Sequence, residues 1–189
     1  MPIGRPASRC SPLHGLSADA WKRFSDAGFK HYELMVPGSK YNMMDLQAAF
    51  GLYQLARVEA NLERRRQIWA RQDQAFADMP AFLPAGEEEG TRHARHLHTL
   101  LLDIGRLRAD RDEIQAALHR QRIGTGIHYR TLDLHQYYRE VFGDSPGNLT
   151  NAEWIPDCTL SLPLSPTLRG EDVESVILAV RRILEHFAR

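Results

Sequence analysis

The stretch Gly38-Ser39-Lys40-Tyr41-Asn42-Met43-Met44-Asp45 leads from a polar loop into a helix-forming run. Lys40 and Asn42 sit just before the helix start. Both can donate hydrogen bonds, and Lys40 does so with a positive charge. Donors beside a helix N-terminus, where main-chain N–H groups also lack partners, suit an anion such as a phosphate. Asp45 can cap the helix or sit in its first turn. The same spacing also describes a surface loop with an ordinary acidic cap. His93, His96 and His98 raise the question of a metal. His96 and His98 would share one face of a strand, but no cysteine or third ligand accompanies them, so no metal site is expected. Gly124-Thr125-Gly126 has the glycines of a phosphate loop but lacks the Gly-Lys-Ser/Thr ending. Glu63-Arg64-Arg65-Arg66 reads as a solvated helical face with Glu59 and Glu63 as counter-charges, and Glu87-Glu88-Glu89-Gly90 as a solvated loop.

Composition narrows the function classes. The chain has 189 residues, enough for one domain or slightly more. Lys+Arg and Asp+Glu both number 24, giving no net charge, which argues against a nucleic-acid or anionic-membrane partner. Cys10 and Cys158 have no ligand spacing and read as reduced thiols of a cytoplasmic protein. No apolar run is long enough to span a membrane, and the N-terminus has no apolar segment of signal-peptide type. The lysines are Lys22, Lys30 and Lys40 alone.

The elements that must position these residues follow from periodicity. A short helix is expected over Ala18 to Ala27 after Ser17, and an extended piece over Tyr32 to Val36, stopped by Pro37-Gly38. One long helix is expected from Leu46 to about Met79, with Leu46, Phe50, Tyr53, Ala56 and Ala60 on one side and Pro80 at its end. Gly51 within it suggests close approach of a neighbouring backbone. His93 to Asp103 alternates as a strand, with His98, Leu100 and Leu102 facing one way. A helix over Asp110 to Gln121 follows, then a strand over Ile127 to Arg130 and a short helix near Asp133 to Phe142. Beyond these come a helical turn from Asn151, a strand over Cys158 to Leu162, and a last helix from Gly170. Val173, Val176, Ile177, Val180, Ile183, Leu184 and Phe187 give that helix an apolar stripe. This order describes an α+β unit with a few strands and helices packed on one face.

Four blocks, in order, resemble the DegT/DnrJ/StrS family of sugar aminotransferases. They are His14-Gly15 followed by Trp21; Gly38 to Gly51; Arg111-Asp112-Glu113 with Ile123-Gly124-Thr125-Gly126-Ile127-His128-Tyr129 and Tyr137-Tyr138; and Asn151-Ala152-Glu153 through Leu160-Ser161-Leu162-Pro163-Leu164-Ser165-Pro166. The resemblance covers about residues 13–187. It implies the aspartate-aminotransferase-like fold, PLP fold type I. This chain would be its C-terminal half, with 1–44 a remnant of the large PLP domain, 45–80 a long linking helix and 81–189 the small α+β C-terminal domain. The family places its Schiff-base lysine upstream of the His-Gly block, and none of Lys22, Lys30 or Lys40 lies in that motif. Met1 is therefore expected to be a truncation, split-gene or frameshift start, with residues 1–12 outside the family pattern.

The resemblance also implies roles. Lys40 stands at the usual Asn position and Asn42 at the usual Arg position, so both would bind the phosphate of the neighbouring subunit's pyridoxal 5'-phosphate (PLP). His128, Tyr129 and His14 would meet the nucleotide sugar. Asp133 and Ser165 replace histidines of the pattern. The implied reaction moves an amino group from glutamate to a keto nucleotide-sugar. These 189 residues would not carry it out alone, since the lysine that moves the proton is not among them. A homodimer, or a partner chain carrying the large domain, is expected. The alternatives are a non-catalytic remnant or interaction module of the same family, and a sugar dehydratase relative. Exposed apolar surface on the long helix is expected in either of the first two cases.

Overall fold

The computed structural model describes residues 37, 39–41, 43–143, 146–147 and 149–189. The expected helix over Ala18 to Ala27, the extended piece over Tyr32 to Val36, and Cys10, His14 and Asn42 lie outside the described residues. The chain divides into two units, with the boundary between Arg57 and Val58.

In the first unit, helix α1 spans Asp45–Leu55. Met44 precedes it in extended conformation, and the Met44 N–H donates to Gln47 Oε1 at 3.1 Å. Asp45 lies in the first turn, where the helix dipole favours its charge. No residue of α1 is buried, and Leu46, Phe50, Leu52, Tyr53 and Leu55 are all exposed. A Cβ added at Gly51 would meet nothing within 4 Å, so close backbone approach does not explain this glycine here.

The expected single helix from Leu46 to Met79 is two helices. At Ala56-Arg57 the bonding tightens, with the Arg57 N–H reaching Gln54 O at 3.0 Å in place of the carbonyl four residues back. No proline or glycine marks the break. Helix α2, Val58–Phe76, opens the second unit and buries Leu62, Ile68, Trp69, Gln72, Ala75 and Phe76.

Three strands form one antiparallel sheet in the order β1 (Ala81–Phe82), β2 (His98–Leu102), β3 (Thr159–Leu162). β2 alternates as its sequence dictates, with His98, Leu100 and Leu102 buried. It is shorter than expected. Arg95 takes a left-handed conformation, φ 45°, and its N–H donates to His93 Nδ1 at 3.0 Å, which ends extended structure before His98. His96 is consequently exposed off the strand while His98 is buried within it, so the two do not share a strand face.

Helix α3, Arg111–Arg120, starts at a reciprocal cap. Asp110 Oδ1 accepts the Glu113 N–H at 2.8 Å, and Glu113 Oε2 accepts the Asp110 N–H at 3.0 Å. A 3₁₀ turn, Leu132–Leu134, and helix α4, Gln136–Phe142, fill the region read as one short helix. Helix α5, Thr150–Cys158, is held at its start by Glu153, whose carboxylate accepts the N–H groups of Gly147 and Leu149. Helix α6, Gly170–Phe187, buries Val173, Val176, Ile177, Val180, Ile183 and Leu184 as its stripe predicts.

The core of the second unit gathers Ile68 and Phe76 of α2, Leu100 and Leu102 of β2, Ile114 and Leu118 of α3, Leu160 of β3, and the α6 stripe. Arg71 forks onto Glu174 with both bonds at 2.8 Å, and Arg181 forks onto Asp78 at 2.6 and 3.0 Å, fastening α6 to α2 and the turn after it. Exposed pairs of this kind add modestly to what the apolar burial supplies. Among the described residues no helix is long and apolar enough to cross a membrane.

Candidate functional site

The segment after α3 was expected to form a strand over Ile127 to Arg130. Only Gly126 pairs with β3. Its N–H donates to Ser161 O at 3.0 Å, and the Ser161 N–H returns a bond to Gly126 O at 2.8 Å. After this single pair the backbone leaves the sheet, and a side chain continues the contact: His128 Nδ1 lies 2.7 Å from Ser161 Oγ. The imidazole rests against Gly126, where an added Cβ would stand 2.9 Å from His128 Cε1. Tyr129 meets the His128 ring edge-on, with centroids 4.8 Å apart, and is 73% exposed. The structure thus sets a half-buried, anchored imidazole beside an open phenol, a pair able to offer hydrogen bonds to a polar ligand.

Lys40 lies in the first unit, exposed and shortly before α1. It is the one lysine among the described residues. An exposed ammonium suits phosphate oxygens, and in donor chemistry Lys40 fits the phosphate end of PLP. The described residues offer no lysine enclosed in a cavity for the aldehyde end. Lys40 thus falls in the first unit, and His128 and Tyr129 in the second.

Asp133, which replaces a histidine of the pattern, is buried. Thr131 Oγ1 donates to its Oδ1, and Oδ2 has no partner. His135 is exposed. A cleft of about 420 Å³ beside this segment is lined by Ile127, Arg130, Thr131, Leu134 and Glu153 among others. A wider one of about 840 Å³ lies between α3 and α6 and contains neither His128 nor Tyr129. The hydrogen-bonding groups of the candidate site thus lie outside that wider cleft. No group of three histidine, cysteine or acidic side chains able to hold a metal occurs among the described residues. Cys158 is a free, buried thiol whose pKa is raised by burial and then by the charge of Asp157, which makes it a poor nucleophile. Sequence reasoning missed Ser161 as the anchor of His128. Its only sequence signal is its place in the Leu160-Ser161-Leu162-Pro163 block.

Residues 7–181 match the DegT/DnrJ/EryC1/StrS aminotransferase family. The chain belongs to that family. The match starts ahead of the His14-Gly15 block. The chain is 40% identical over 178 residues to the spore coat polysaccharide biosynthesis protein SpsC of Bacillus subtilis, covering 94% of this chain and 46% of SpsC. It is 39% identical over 172 residues to an uncharacterized protein of Methanocaldococcus jannaschii, covering 91% of this chain and 45% of that one. It therefore spans about half the length of these relatives. The PLP form of Spr1654 from Streptococcus pneumoniae, a candidate sugar aminotransferase, superposes with a TM-score of 0.76 at 28% identity, covering 94% of this chain and 42% of that one. Spr1654 is also known in apo and PMP forms. The α+β arrangement of this DegT/DnrJ/EryC1/StrS chain is part of the PLP-dependent aminotransferase fold, and these forms support PLP as the cofactor of full-length members.

Proposed function

We propose that this chain supplies the small-domain share of an aminotransferase acting on a keto nucleotide-sugar, with glutamate as the amino donor. Membership of the family over nearly the whole chain is the observation that carries this reading. The name of the Bacillus subtilis relative favours a sugar destined for a polysaccharide. PLP, when bound, supplies the electron sink for amino transfer. Lys40 and Asn42 would hold its phosphate across a subunit boundary. His128 and Tyr129 would bind and orient the sugar or its diphosphate, and His14 would add to that contact. The lysine that moves the proton belongs to the large domain, outside these 189 residues, and a homodimer or a partner chain carrying that domain would complete the site. In this reading residues 1–44 are large-domain remnant, the helical segment 45–80 links, and 81–189 is the small domain. The free Cys158 thiol agrees with work in the cytoplasm. The exposed apolar residues of α1 agree with a missing covering partner, and they equally suit a non-catalytic interaction module.

Cofactor capture separates the two. Alone, the purified chain given PLP and then borohydride is expected to show no lysine modified in stoichiometric yield by mass spectrometry. Co-expressed with the upstream half of SpsC, it is expected to retain PLP through gel filtration, and Lys40→Ala is expected to weaken that retention. One lysine of the isolated chain fixed in full yield would overturn the shared-lysine reading. A co-purifying assembly without PLP would favour the interaction module.

A further inference from the structure

The Gly126 and Ser161 segments come from two separate blocks of the sequence, yet they form one device around His128. Ser161 is buried, with 4% of its surface exposed, and lies within β3. Both its backbone groups are taken up by Gly126. That leaves the hydroxyl, whose one hydrogen-bond partner among the described residues is His128 Nδ1 at 2.7 Å. A buried hydroxyl hydrogen left without an acceptor is costly, so the proton belongs on Ser161 Oγ and the lone pair on Nδ1. The neutral ring then carries its hydrogen on Nε2. That nitrogen has no hydrogen-bond partner among the described residues, and the residue is only half-buried. Gly126 completes the arrangement by leaving the space that Cε1 occupies, since a Cβ there would stand at 2.9 Å.

We propose that Ser161 is a positioning residue. Its hydroxyl donates to His128 Nδ1 and fixes the imidazole over Gly126 as an Nε2–H donor open to an acceptor oxygen of the ligand. The ligand assignment rests on the reading that His128 meets a nucleotide sugar; the tautomer assignment does not. Fixing the tautomer through the other ring nitrogen is how a histidine is given one hydrogen-bonding sense.

The test is long-range ¹H–¹⁵N NMR of the histidine rings in the full chain above pH 7.5, with His128 identified by His128→Gln. Wild type is expected to show the Nε2–H tautomer, with the Nδ1 resonance displaced relative to Ser161→Ala. Ser161→Thr, which keeps the hydroxyl, is expected to retain the displacement, and Gly126→Ala to disturb both ring nitrogens. An Nδ1–H tautomer in wild type would overturn the proposal whether or not any variant folds. So would His128 signals in folded Ser161→Ala that superimpose on wild type. Addition of UDP-glucose then tests the underlying reading separately. Movement of the His128 signals supports it, while unmoved signals remove the sugar contact and leave the Ser161 assignment intact.

Discussion

Phe76→Ala is expected to lower the unfolding free energy by about 3–5 kcal/mol, while Phe50→Ala changes it by no more than about 0.5 kcal/mol. The two residues are the same in kind and both lie on helices, so the contrast isolates burial. Phe76 ends α2 with none of its surface exposed, inside the core shared by β2, α3, β3 and α6. Removing its ring takes away apolar burial and leaves a hole that rigid neighbours cannot fill. Phe50 is 64% exposed on α1, and alanine there costs little because almost nothing packs on the ring. Urea denaturation followed by tryptophan fluorescence measures both, with buried Trp69 as a reporter near Phe76. A loss above about 1 kcal/mol for Phe50→Ala would mean that α1 is covered in solution. Sedimentation at two protein concentrations would then show whether a second copy covers it.

Helix α6 was legible in the sequence because one local rule decides it. Apolar residues at three- and four-residue steps from Val173 to Leu184 leave a single way to bury the helix, and all six of its buried positions follow that rule. The α3 start was legible for the same reason, since Asp110 and Glu113 are three apart and cap each other. The break at Ala56-Arg57 was not, because both residues are good helix formers and the change is one of hydrogen-bond register. The late start of β2 turns on a left-handed Arg95, a conformation that residue type does not announce. Strand β1 has two residues and exists only because Leu101 and Leu102 lie opposite. At the candidate site, His128 and Tyr129 stood out through the family resemblance alone. Their anchor Ser161 lies 33 residues from His128, and no local pattern joins them. Asp73 and His98 are likewise a tertiary pair, brought together when β2 docks on α2.

That last pair predicts how the fold responds to acid. His98 has no exposed surface, and its Nε2 lies 2.9 Å from Asp73 Oδ1. Its ring packs against Trp69 at 4.8 Å and Phe76 at 6.3 Å between centroids, and Nδ1 is buried without a partner. Burial holds its pKa below the ordinary value of 6.5, outweighing the bond and charge of Asp73, while Arg95 adds a smaller push downward. The neutral ring donates Nε2–H to Asp73. Below about pH 6.5 the unfolded chain takes up a proton that the folded chain refuses, so acid favours unfolding until the folded pKa is passed. The carboxylates with lowered pKa, Glu59, Asp78, Glu87 and Asp172, start from ordinary values of 4.5 or 3.8 and respond only at lower pH. The urea midpoint is therefore expected to fall between pH 7.5 and 5.5. His98→Gln, whose amide can still donate to Asp73, is expected to flatten that fall. Asp73→Asn removes the two largest influences that raise the pKa and is expected to extend the fall to lower pH. A midpoint that does not move in wild type, or one that falls just as far in His98→Gln, would show that the buried imidazole is not what acid attacks. The expected pattern would instead fix His98 as a neutral core residue, a role opposite to that of the open, donor-bearing His128 on the far side of the same β2–β3 register, where Thr99 faces Ser161.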